Sequence, residues 1–306
     1  MYKKILVTGA GGYVGKYVLD GLLSNGFQVT CFIRKGVPFV YDRKDALRVV
    51  EGDITDKESL RPALKGVDAV IHLAAAQRII SFEVNYQVNF IGTRNLIELC
   101  TAYKIKRVIF TSSVAVLKNK RGPYGETKVM AEKLFTDSSL DYTIFRPTII
   151  YGVHGVGITN VIDYVTKFPF FIPLVGHGRW TRQPVSVYDV AKALVLSVNN
   201  KQTYRKIYPL CGKDKIPFRD LVDVVAKAIG VKKIKISFPV WLCYYTAKVF
   251  ERVLSKPPFT SENVRNLSQG TEMDITELVR DTNFNPIDIE QGIKNLIAEL
   301  REKKLL

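Results

Sequence analysis

The chain has 306 residues, 47% of them hydrophobic and 24% charged, so it can bury one large core or two fused ones. This excludes a disordered chain and a disulfide-stapled mini-protein. Its net charge of +16 favours anionic ligands, such as phosphorylated cofactors or acidic lipid surfaces, or serves only solubility. We expect no nucleic acid partner, because the basic residues are spread along the chain.

The sequence contains no pattern typical of a membrane span or a metal site. No apolar run approaches the ~18 residues that a membrane-spanning helix needs, and residues 3–7 are too short for a secretory signal. Cys31, Cys100, Cys211 and Cys243 lie far apart, which predicts reduced thiols, no disulfide framework and no metal. We therefore expect a cytoplasmic chain.

Short β-branched runs alternate with helical patterns over residues 3–150. This alternation predicts an α/β fold, a Rossmann-type doubly wound parallel sheet, in a dinucleotide-binding domain over residues 1–150. The predicted strands are 4–8, 28–33, 47–51, 69–72, 107–111 and 142–146, and the clearest predicted helices are 13–25, 85–103 and 124–136.

After residue 151 the sequence is punctuated by glycine and proline. This predicts a smaller C-terminal α/β substrate-binding lobe over residues 151–306, with some segments returning to the Rossmann sheet. Residues 238–254 form an aromatic-rich predicted helix with Lys248 and Arg252 near its end. Core packing is the first interpretation of this helix. An apolar lid over a substrate and a peripheral patch on a membrane surface are the alternatives.

A glycine-rich turn, TGAGGYVG at residues 8–15, follows the first predicted strand and opens the first predicted helix. Glycines in this pattern permit a tight turn and a close approach to a pyrophosphate, which the helix N-terminus attracts. The order of strand, turn and helix predicts a dinucleotide site. Its predicted contacts here are Gly9, Gly12, Tyr13, Val14 and Gly15.

The ends of the next three strands supply the other predicted cofactor contacts. Arg34 and Lys35 stand where an acidic residue would select NAD, which favours NADP, with NAD as second choice; Arg34 could instead stack over adenine or face solvent. Asp53, followed by Ile54, is a candidate to bind the adenine amino group, with a helix N-cap or turn role as an equal alternative. Leu73, Ala74 and Ala75 follow the fourth predicted strand, and the small alanines there leave backbone accessible beside the cofactor.

Tyr124 and Lys128 are four positions apart on a predicted helix and therefore share a face. A free phenol has a pKa of about 10, and a neighbouring ammonium lowers that pKa by favouring the phenolate. The pair thus predicts general acid/base catalysis. The same spacing also occurs on solvated helix faces, which is the alternative.

Several motifs follow one another in a recognisable order: the turn at 8–15, NFIGTRNL at 89–96, FTSS at 110–113, PYGETK at 123–128, RP at 146–147, VSVYDVA at 185–191 and DITELVRDTNFNP at 274–286. In this order they resemble the extended short-chain dehydrogenase/reductase family (the NAD-dependent epimerase/dehydratase superfamily), with its 3β-hydroxysteroid dehydrogenase and dihydroflavonol reductase branch favoured. The resemblance runs nearly end to end and implies an NAD(P)-dependent oxidoreductase and a homodimer through two helices per subunit.

This resemblance also implies residue roles. Tyr124 would be the general acid/base, Lys128 would lower its pKa and bind the nicotinamide ribose, and Ser113, or else Ser112, would orient the substrate oxygen. Asn89 would support a proton relay, with a buried asparagine satisfied by backbone as its equal alternative. Ser113 and Tyr124 are only 11 positions apart, fewer than in most extended members, which leaves room for an altered substrate or for cofactor binding without turnover.

Arg182 stands where the sugar-nucleotide branch binds a diphosphate. The Arg-x-Gly-Asp-like stretch of that branch is absent, and residues 258–267 look more like the hydroxysteroid-dehydrogenase branch. We therefore expect hydride transfer to or from a carbonyl or alcohol on a largely apolar molecule. The alternatives are a nucleotide-sugar epimerase or dehydratase and a non-catalytic NADP-binding accessory protein resembling the complex I accessory subunit.

Overall fold

A computed structural model describes residues 1–76, 81–168, 170–254, 257, 259–267, 270 and 272–306. The first residue of the segment 258–267 lies outside the described residues. The strands are β1 (Lys4–Thr8), β2 (Gln28–Arg34), β3 (Leu47–Gly52), β4 (Ala69–His72), β5 (Arg107–Thr111), β6 (Asp141–Pro147), β7 (Ile150–Tyr151), β8 (Phe171–Val175), β9 (Thr181–Arg182), β10 (Val185–Ser186), β11 (Lys206–Leu210), β12 (Ile216–Pro217) and β13 (Ile234–Phe238).

Helices connect these strands. The α-helices are α1 (Tyr13–Ser24), α2 (Lys57–Leu64), α3 (Phe82–Asn85), α4 (Gly92–Ala102), α5 (Gly122–Thr136), α6 (Val156–Lys167), α7 (Val187–Ser197), α8 (Phe218–Ile229), α9 (Val240–Val253), α10 (Ser261–Leu267), α11 (Thr276–Thr282) and α12 (Ile289–Glu302). Shorter 3₁₀ turns include Val114–Leu117, and Tyr86–Ile91 is π-helical. Within the described ranges, no helix is long and apolar enough to cross a membrane.

The chain divides into two compact units. The first comprises Met1–Thr148, Val187–Leu210 and Ile275–Asn285, and the second comprises Ile149–Ser186, Cys211–Asp274 and Pro286–Leu306. The first unit thus takes two segments from the later part of the chain, and one of them supplies β11 to its sheet.

Seven strands of the first unit form one parallel sheet in the order β11-β6-β5-β4-β1-β2-β3. The strand order reverses between β1 and β4, and open sheets of this kind bind ligands at the carboxyl ends of the strands beside such a reversal. All six predicted strands are present, each with ends within one residue of the prediction. The predicted Rossmann-type doubly wound fold is therefore confirmed.

The core of the first unit lies between the sheet and its helices. It includes Leu6, Val70, Leu96, Phe110 and Phe135, all buried. These strands read as nearly continuous apolar runs because a parallel sheet is covered on both faces.

The predicted helix 85–103 differs from the observed one in its first half. It is built from α3, the π-helical segment Tyr86–Ile91 and α4. The wider turn carries Asn89, whose buried side chain is held by four hydrogen bonds. Isolated π-turns within helices are frequent at functional sites.

Among its described residues, the second unit has three two-stranded sheets, which pair β10 with β7, β12 with β9, and β13 with β8. Its core is formed mainly by α6, α8 and α12, whose apolar faces bury residues such as Ile162, Val165, Val222, Val225 and Ile293.

The prediction that residues 238–254 pack into the core is wrong. The segment does form a helix, α9, but Ala247 is its one buried residue. Trp241, Tyr245 and Val249 are 64%, 63% and 56% exposed. Aromatic content alone cannot distinguish a core helix from a surface helix, because burial depends on what the rest of the chain packs against it.

Candidate active site

The glycine-rich turn between β1 and α1 has a shape that only glycine permits at two positions. Gly9 has a φ of +71°, and a Cβ there would lie 2.7 Å from the main-chain nitrogen of Ala74. A Cβ on Gly15 would lie 2.4 Å from the carbonyl oxygen of Ala10. The turn therefore lies directly against the segment after β4, and α1 begins directly against the turn. Gly12 closes the turn by donating its N–H to the carbonyl of Gly9 at 3.0 Å.

The N-terminus of α1 fits a dinucleotide diphosphate. Gly12 is the N-cap residue, no side chain caps the helix, and its first turn contains no acidic residue. Main-chain N–H groups and the positive end of the helix dipole attract phosphate oxygens at such a terminus. Tyr13 and Val14 supply the first helical residues of this turn.

The residues predicted to select the cofactor lie at the ends of β2 and β3. Arg34 is the last residue of β2, and Arg34 and Lys35 are both exposed. One carboxylate oxygen of Asp53 accepts hydrogen bonds from the N–H and the hydroxyl of Thr55 at 2.9 and 2.8 Å. These contacts are those of an aspartate in a turn, which is the alternative role predicted for Asp53. Its role at adenine stays a prediction. Ile54 is buried, and a Cβ on Gly92 would lie 2.8 Å from it.

The segment after β4 is bound to the end of β1. The N–H of Leu73 donates to the carbonyl of Thr8 at 3.1 Å, and the N–H of Ala74 lies 3.4 Å from the Thr8 hydroxyl. Leu73, Ala74 and Ala75 are partly exposed. They therefore stand beside the glycine-rich turn, as the fold predicts, while contact with a cofactor stays a prediction.

The sequence analysis missed His72, the last residue of β4. Its Nδ1 lies 2.7 Å from the Thr8 hydroxyl, and its Nε2 lies 3.0 Å from the Thr93 hydroxyl. Because Thr93 donates to the carbonyl of Asn89 at 2.6 Å, we assign the proton to Nε2 and the acceptor role to Nδ1. Burial lowers the pKa of His72 to about 3, so the ring is neutral near pH 7.

This histidine connects three parts of the site: the end of β1, the end of β4 and the start of α4. Its position as the last residue of a strand beside the reversal of strand order was the one sequence signal that could have identified it.

Tyr124 and Ser113 are brought together at the end of β5. The Ser113 hydroxyl lies beside the Tyr124 phenol and acts to lower its pKa. Ser113 also accepts the N–H of Ala115 at 3.1 Å and so begins the 3₁₀ turn Val114–Leu117. Gly125 is buried, and a Cβ there would lie 3.0 Å from the carbonyl oxygen of Ala115. The absence of a side chain at Gly125 thus lets α5 begin against this turn and places Tyr124 beside Ser113.

Lys128 lies inside the first unit. It is buried, its Nζ donates to the carbonyl oxygen of Thr111 at 2.9 Å, and it lies 4.5 Å from the centre of the Phe110 ring. The alternative of a solvated helix face is therefore wrong. One turn further along α5, Glu132 forms a bidentate ion pair with Arg146 of β6, with distances of 3.0 and 2.5 Å.

Burial and Ser113, not Lys128, set the direction of the Tyr124 pKa in this structure, and a lowering by Lys128 stays a prediction. Burial raises the pKa of Tyr124 to about 12, and the Ser113 hydroxyl is what acts against that rise. Burial also lowers the pKa of Lys128 to about 7, against the attraction of the Glu132 carboxylate. A lysine that is partly neutral near pH 7 attracts a phenolate less than a full ammonium would.

Two further candidates, Asn89 and Ser112, are buried and differ in the contacts of their side chains. Asn89 accepts the N–H of Ala76 at 2.9 Å and donates to the Ala76 carbonyl and to the hydroxyl of Thr127 at 3.2 and 3.1 Å. Two of its four hydrogen bonds are to backbone and two are to the side chains of Asn85 and Thr127, and its relay role stays a prediction. Ser112 is buried, and its hydroxyl has no hydrogen-bond partner among the described residues.

Arg182 belongs to the second unit. Its guanidinium is buried and donates to the carbonyl oxygens of Thr181 and Leu267 at 2.9 and 3.0 Å. Burial lowers its pKa. These main-chain contacts fix the arginine in its own unit, and a diphosphate contact stays a prediction.

Across the described part of the chain, no group of three or more His, Cys, Asp or Glu side chains could hold a metal ion.

Known proteins are similar to this chain over nearly its whole length. The 2-alkyl-3-oxoalkanoate reductase of Stenotrophomonas maltophilia (strain K279a) is 27% identical over 96% of this chain and 98% of the reductase. The N-acetyl-alpha-D-glucosaminyl-diphospho-ditrans,octacis-undecaprenol 4-epimerase of Escherichia coli O157:H7 is 26% identical over 96% of this chain and 94% of the epimerase.

A solved structure of UDP-glucose 4-epimerase with UDP-glucose, from Thermotoga maritima, has the same fold. Its TM-score is 0.78 at 21% identity, over 98% of this chain and 99% of that one. Residues 5–211 of the present chain match the model of a family of enzymes that use a nicotinamide dinucleotide. The chain belongs to the NAD dependent epimerase/dehydratase family.

Proposed function

We propose that the chain is an NAD(P)-dependent oxidoreductase that reduces a carbonyl, or oxidises the corresponding alcohol, on a largely apolar molecule. The observation that carries this proposal is the Ser113 hydroxyl beside the Tyr124 phenol, on the helix that also carries the buried Lys128. A phenol and a hydroxyl held together in this way can both reach one substrate oxygen. A non-catalytic accessory protein would not need this pairing beside a site that fits a dinucleotide diphosphate. The pairing therefore favours an enzyme.

The bound dinucleotide would give or take the hydride. Tyr124 is the proton donor when a carbonyl is reduced, and its oxygen takes the proton back when an alcohol is oxidised. Because burial raises the pKa of Tyr124 to about 12, the phenol is protonated near pH 7, which favours the direction of reduction. Ser113 orients the oxygen that receives the proton. Lys128 holds the end of β5 through the Thr111 carbonyl. It would bind the nicotinamide ribose, as the family resemblance implies.

Substrate class is inferred from the full-length relatives. The 2-alkyl-3-oxoalkanoate reductase is named for a carbonyl on an alkyl chain. Its alignment with this chain covers nearly the whole of both proteins. The epimerase, at nearly the same identity and coverage, supports epimerisation or dehydration of a nucleotide-linked or lipid-linked sugar as the second candidate. Both reactions exchange a hydride with the nicotinamide and a proton with Tyr124, in opposite directions at the first step, so the residues around Tyr124 do not separate them.

The test follows oxidation of NADPH or NADH with 3-oxoalkanoates of increasing alkyl length, and product formation with UDP-sugars. We expect the oxoalkanoates to be turned over. Turnover of UDP-sugars alone would reverse the ranking of the two candidates.

Tyr124→Phe should lower kcat about 10²- to 10⁴-fold with little change in cofactor affinity, because only the proton donor is removed. The matched control is Tyr245→Phe, at an exposed tyrosine of the second unit. Undiminished turnover in Tyr124→Phe would reject its role as the general acid.

The proposal also covers the preferred cofactor, the location of the protein and its oligomeric state. NADP is the preferred cofactor, on the strength of the exposed Arg34 and Lys35 at the end of β2. The chain works in the cytoplasm, which suits the buried free thiols of Cys31, Cys100 and Cys211. It forms a homodimer through two helices per subunit, as the family resemblance implies, and analytical ultracentrifugation tests this directly.

A further inference from the structure

One face of α9 is an exposed row of large apolar side chains. Trp241, Tyr245, Val249 and Val253 follow one another at intervals of four residues and therefore share a face of the helix. Val253 is 73% exposed, and its three partners are each more than half exposed. We call these four residues the α9 face. A contiguous apolar row of this kind marks an interaction site.

Positive charge borders the α9 face. Lys248 and Arg252 lie on α9 one turn from Tyr245 and Val249, and both are exposed. Lys232 is a third exposed cation, shortly before β13. The one acidic residue of α9, Glu251, accepts hydrogen bonds from the N–H and the hydroxyl of Ser261 at 2.8 and 3.2 Å.

The strand before α9 is also apolar and exposed. Ile234, Ile236 and Phe238 alternate along β13, so they share one side of the strand, and each is exposed. Lys235 lies between the first two and forms an ion pair with Asp223. The 23 residues from 232 to 254 thus combine apolar exposure with five Lys or Arg and one Glu.

The charge decides which occupant suits this surface. In a symmetric dimer the α9 face would meet its own copy, and the exposed Lys248 and Arg252 of both chains would repel each other. An anionic lipid surface attracts the same cations, and Trp and Tyr are the side chains enriched where a protein meets the headgroup region of a bilayer. At 14 residues α9 is too short to span a bilayer, but it can lie in the interface.

We propose that the α9 face docks on an anionic lipid bilayer, with Trp241 and Tyr245 in the headgroup region and Lys248 and Arg252 at lipid phosphates. This inference does not depend on the proposed activity, because it rests on contacts of the second unit alone.

Tryptophan fluorescence tests the proposal on the full chain. The protein has two tryptophans, Trp180 and Trp241, so Trp180→Phe leaves Trp241 as the reporter. Vesicles of equal parts phosphatidylglycerol and phosphatidylcholine should shift its emission to the blue and carry the protein in flotation. Pure phosphatidylcholine vesicles should bind it much more weakly.

Two double variants in the Trp180→Phe background separate apolar and charged contributions. Tyr245→Ser with Val249→Ser should reduce vesicle binding at least tenfold, and Lys248→Gln with Arg252→Gln should reduce it about fivefold per cation at low salt. Val40→Ser, at an exposed apolar residue of the first unit, is the matched control and should bind as the parent does. Circular dichroism and thermal unfolding verify that each variant is folded.

Three outcomes would overturn the proposal. They are an unshifted Trp241 emission with anionic vesicles, equal binding to neutral vesicles, and a monomer–dimer equilibrium that Tyr245→Ser with Val249→Ser abolishes. The last would show that a second copy of the chain covers the α9 face.

Discussion

The Ser113 hydroxyl lies beside the Tyr124 phenol although only 11 positions of chain separate the two residues. The connection can be this short because a 3₁₀ turn begins at once after Ser113 and Gly125 lets α5 start against it. A longer loop is therefore not required to bring the two hydroxyl groups together.

This pair yields the first prediction. Ser113→Ala should lower kcat about 10²-fold, because it removes a hydroxyl that orients the substrate oxygen and lowers the pKa of Tyr124. The tyrosine limb of the pH–rate profile should move to higher pH. Ser112→Ala is the control: its buried hydroxyl has no partner among the described residues, so the free energy of unfolding should change by less than about 1 kcal/mol. A larger kcat loss in Ser112→Ala would transfer the role to Ser112.

His72 should make the stability of the first unit depend on pH. Burial lowers its pKa from 6.5 to about 3, so between these values the unfolded chain binds a proton that the native chain does not. Stability should therefore fall as pH falls from 6.5 towards 3, by at most about 1.4 kcal/mol per pH unit. Urea unfolding at pH 7 and pH 4.5 measures this contribution.

The variant His72→Leu should lack this pH-dependent contribution and should lose about 1–3 kcal/mol at pH 7, because the hydroxyl of Thr8 loses its acceptor. His154→Asn is the control, since His154 is exposed and has a φ of +67°, which asparagine tolerates. An unchanged pH dependence in His72→Leu would reject the buried neutral histidine.

Lys128 should make the stability of the first unit depend on pH in the alkaline range. Burial lowers its pKa from 10.5 to about 7, so from about pH 7 to 10.5 the unfolded chain carries a proton that the native chain has lost. The free energy of unfolding should therefore rise with pH across this range, by at most about 1.4 kcal/mol per unit from this group.

Denaturant titrations at pH 7 and pH 9.5 check this, and Lys128→Met should remove the rise. Lys133→Met is the control on the exposed side of the same helix, where Lys133 pairs with Asp137 at 3.0 Å. Equal slopes in the parent and Lys128→Met would contradict a buried lysine with a lowered pKa.

Arg34 should govern the choice between NADP and NAD. If its guanidinium binds the 2′-phosphate, Arg34→Ala should weaken NADP binding about 10- to 100-fold, as expected for a hydrogen-bonded charged pair, and leave NAD binding unchanged. Titration of both nucleotides against intrinsic fluorescence measures the ratio. Lys294→Ala, at an exposed cation on α12, controls for the general loss of positive charge. Equal losses for both nucleotides in Arg34→Ala would reject 2′-phosphate recognition.

Much of the first unit could be predicted from short stretches of sequence. The β-branched runs marked all six predicted strands, because a strand covered on both faces is apolar along its whole length. Gly9 and Gly15 indicated a turn whose shape excludes a Cβ. The spacing of Tyr124 and Lys128 correctly placed both on α5, since helical periodicity is a local property.

Only the tertiary structure decided how these residues are surrounded. The hydrogen-bond partners of His72 come from positions 8 and 93. Burial raises the pKa of Tyr124, an effect that the spacing to Lys128 does not reveal. Helix α9 exposes aromatic side chains whose sequence predicted a place in the core. Local sequence sets which backbone shapes and faces a segment can adopt. Burial, pKa and exposure depend on contacts between residues far apart in the chain, and these exist only once the sheet and helices have packed.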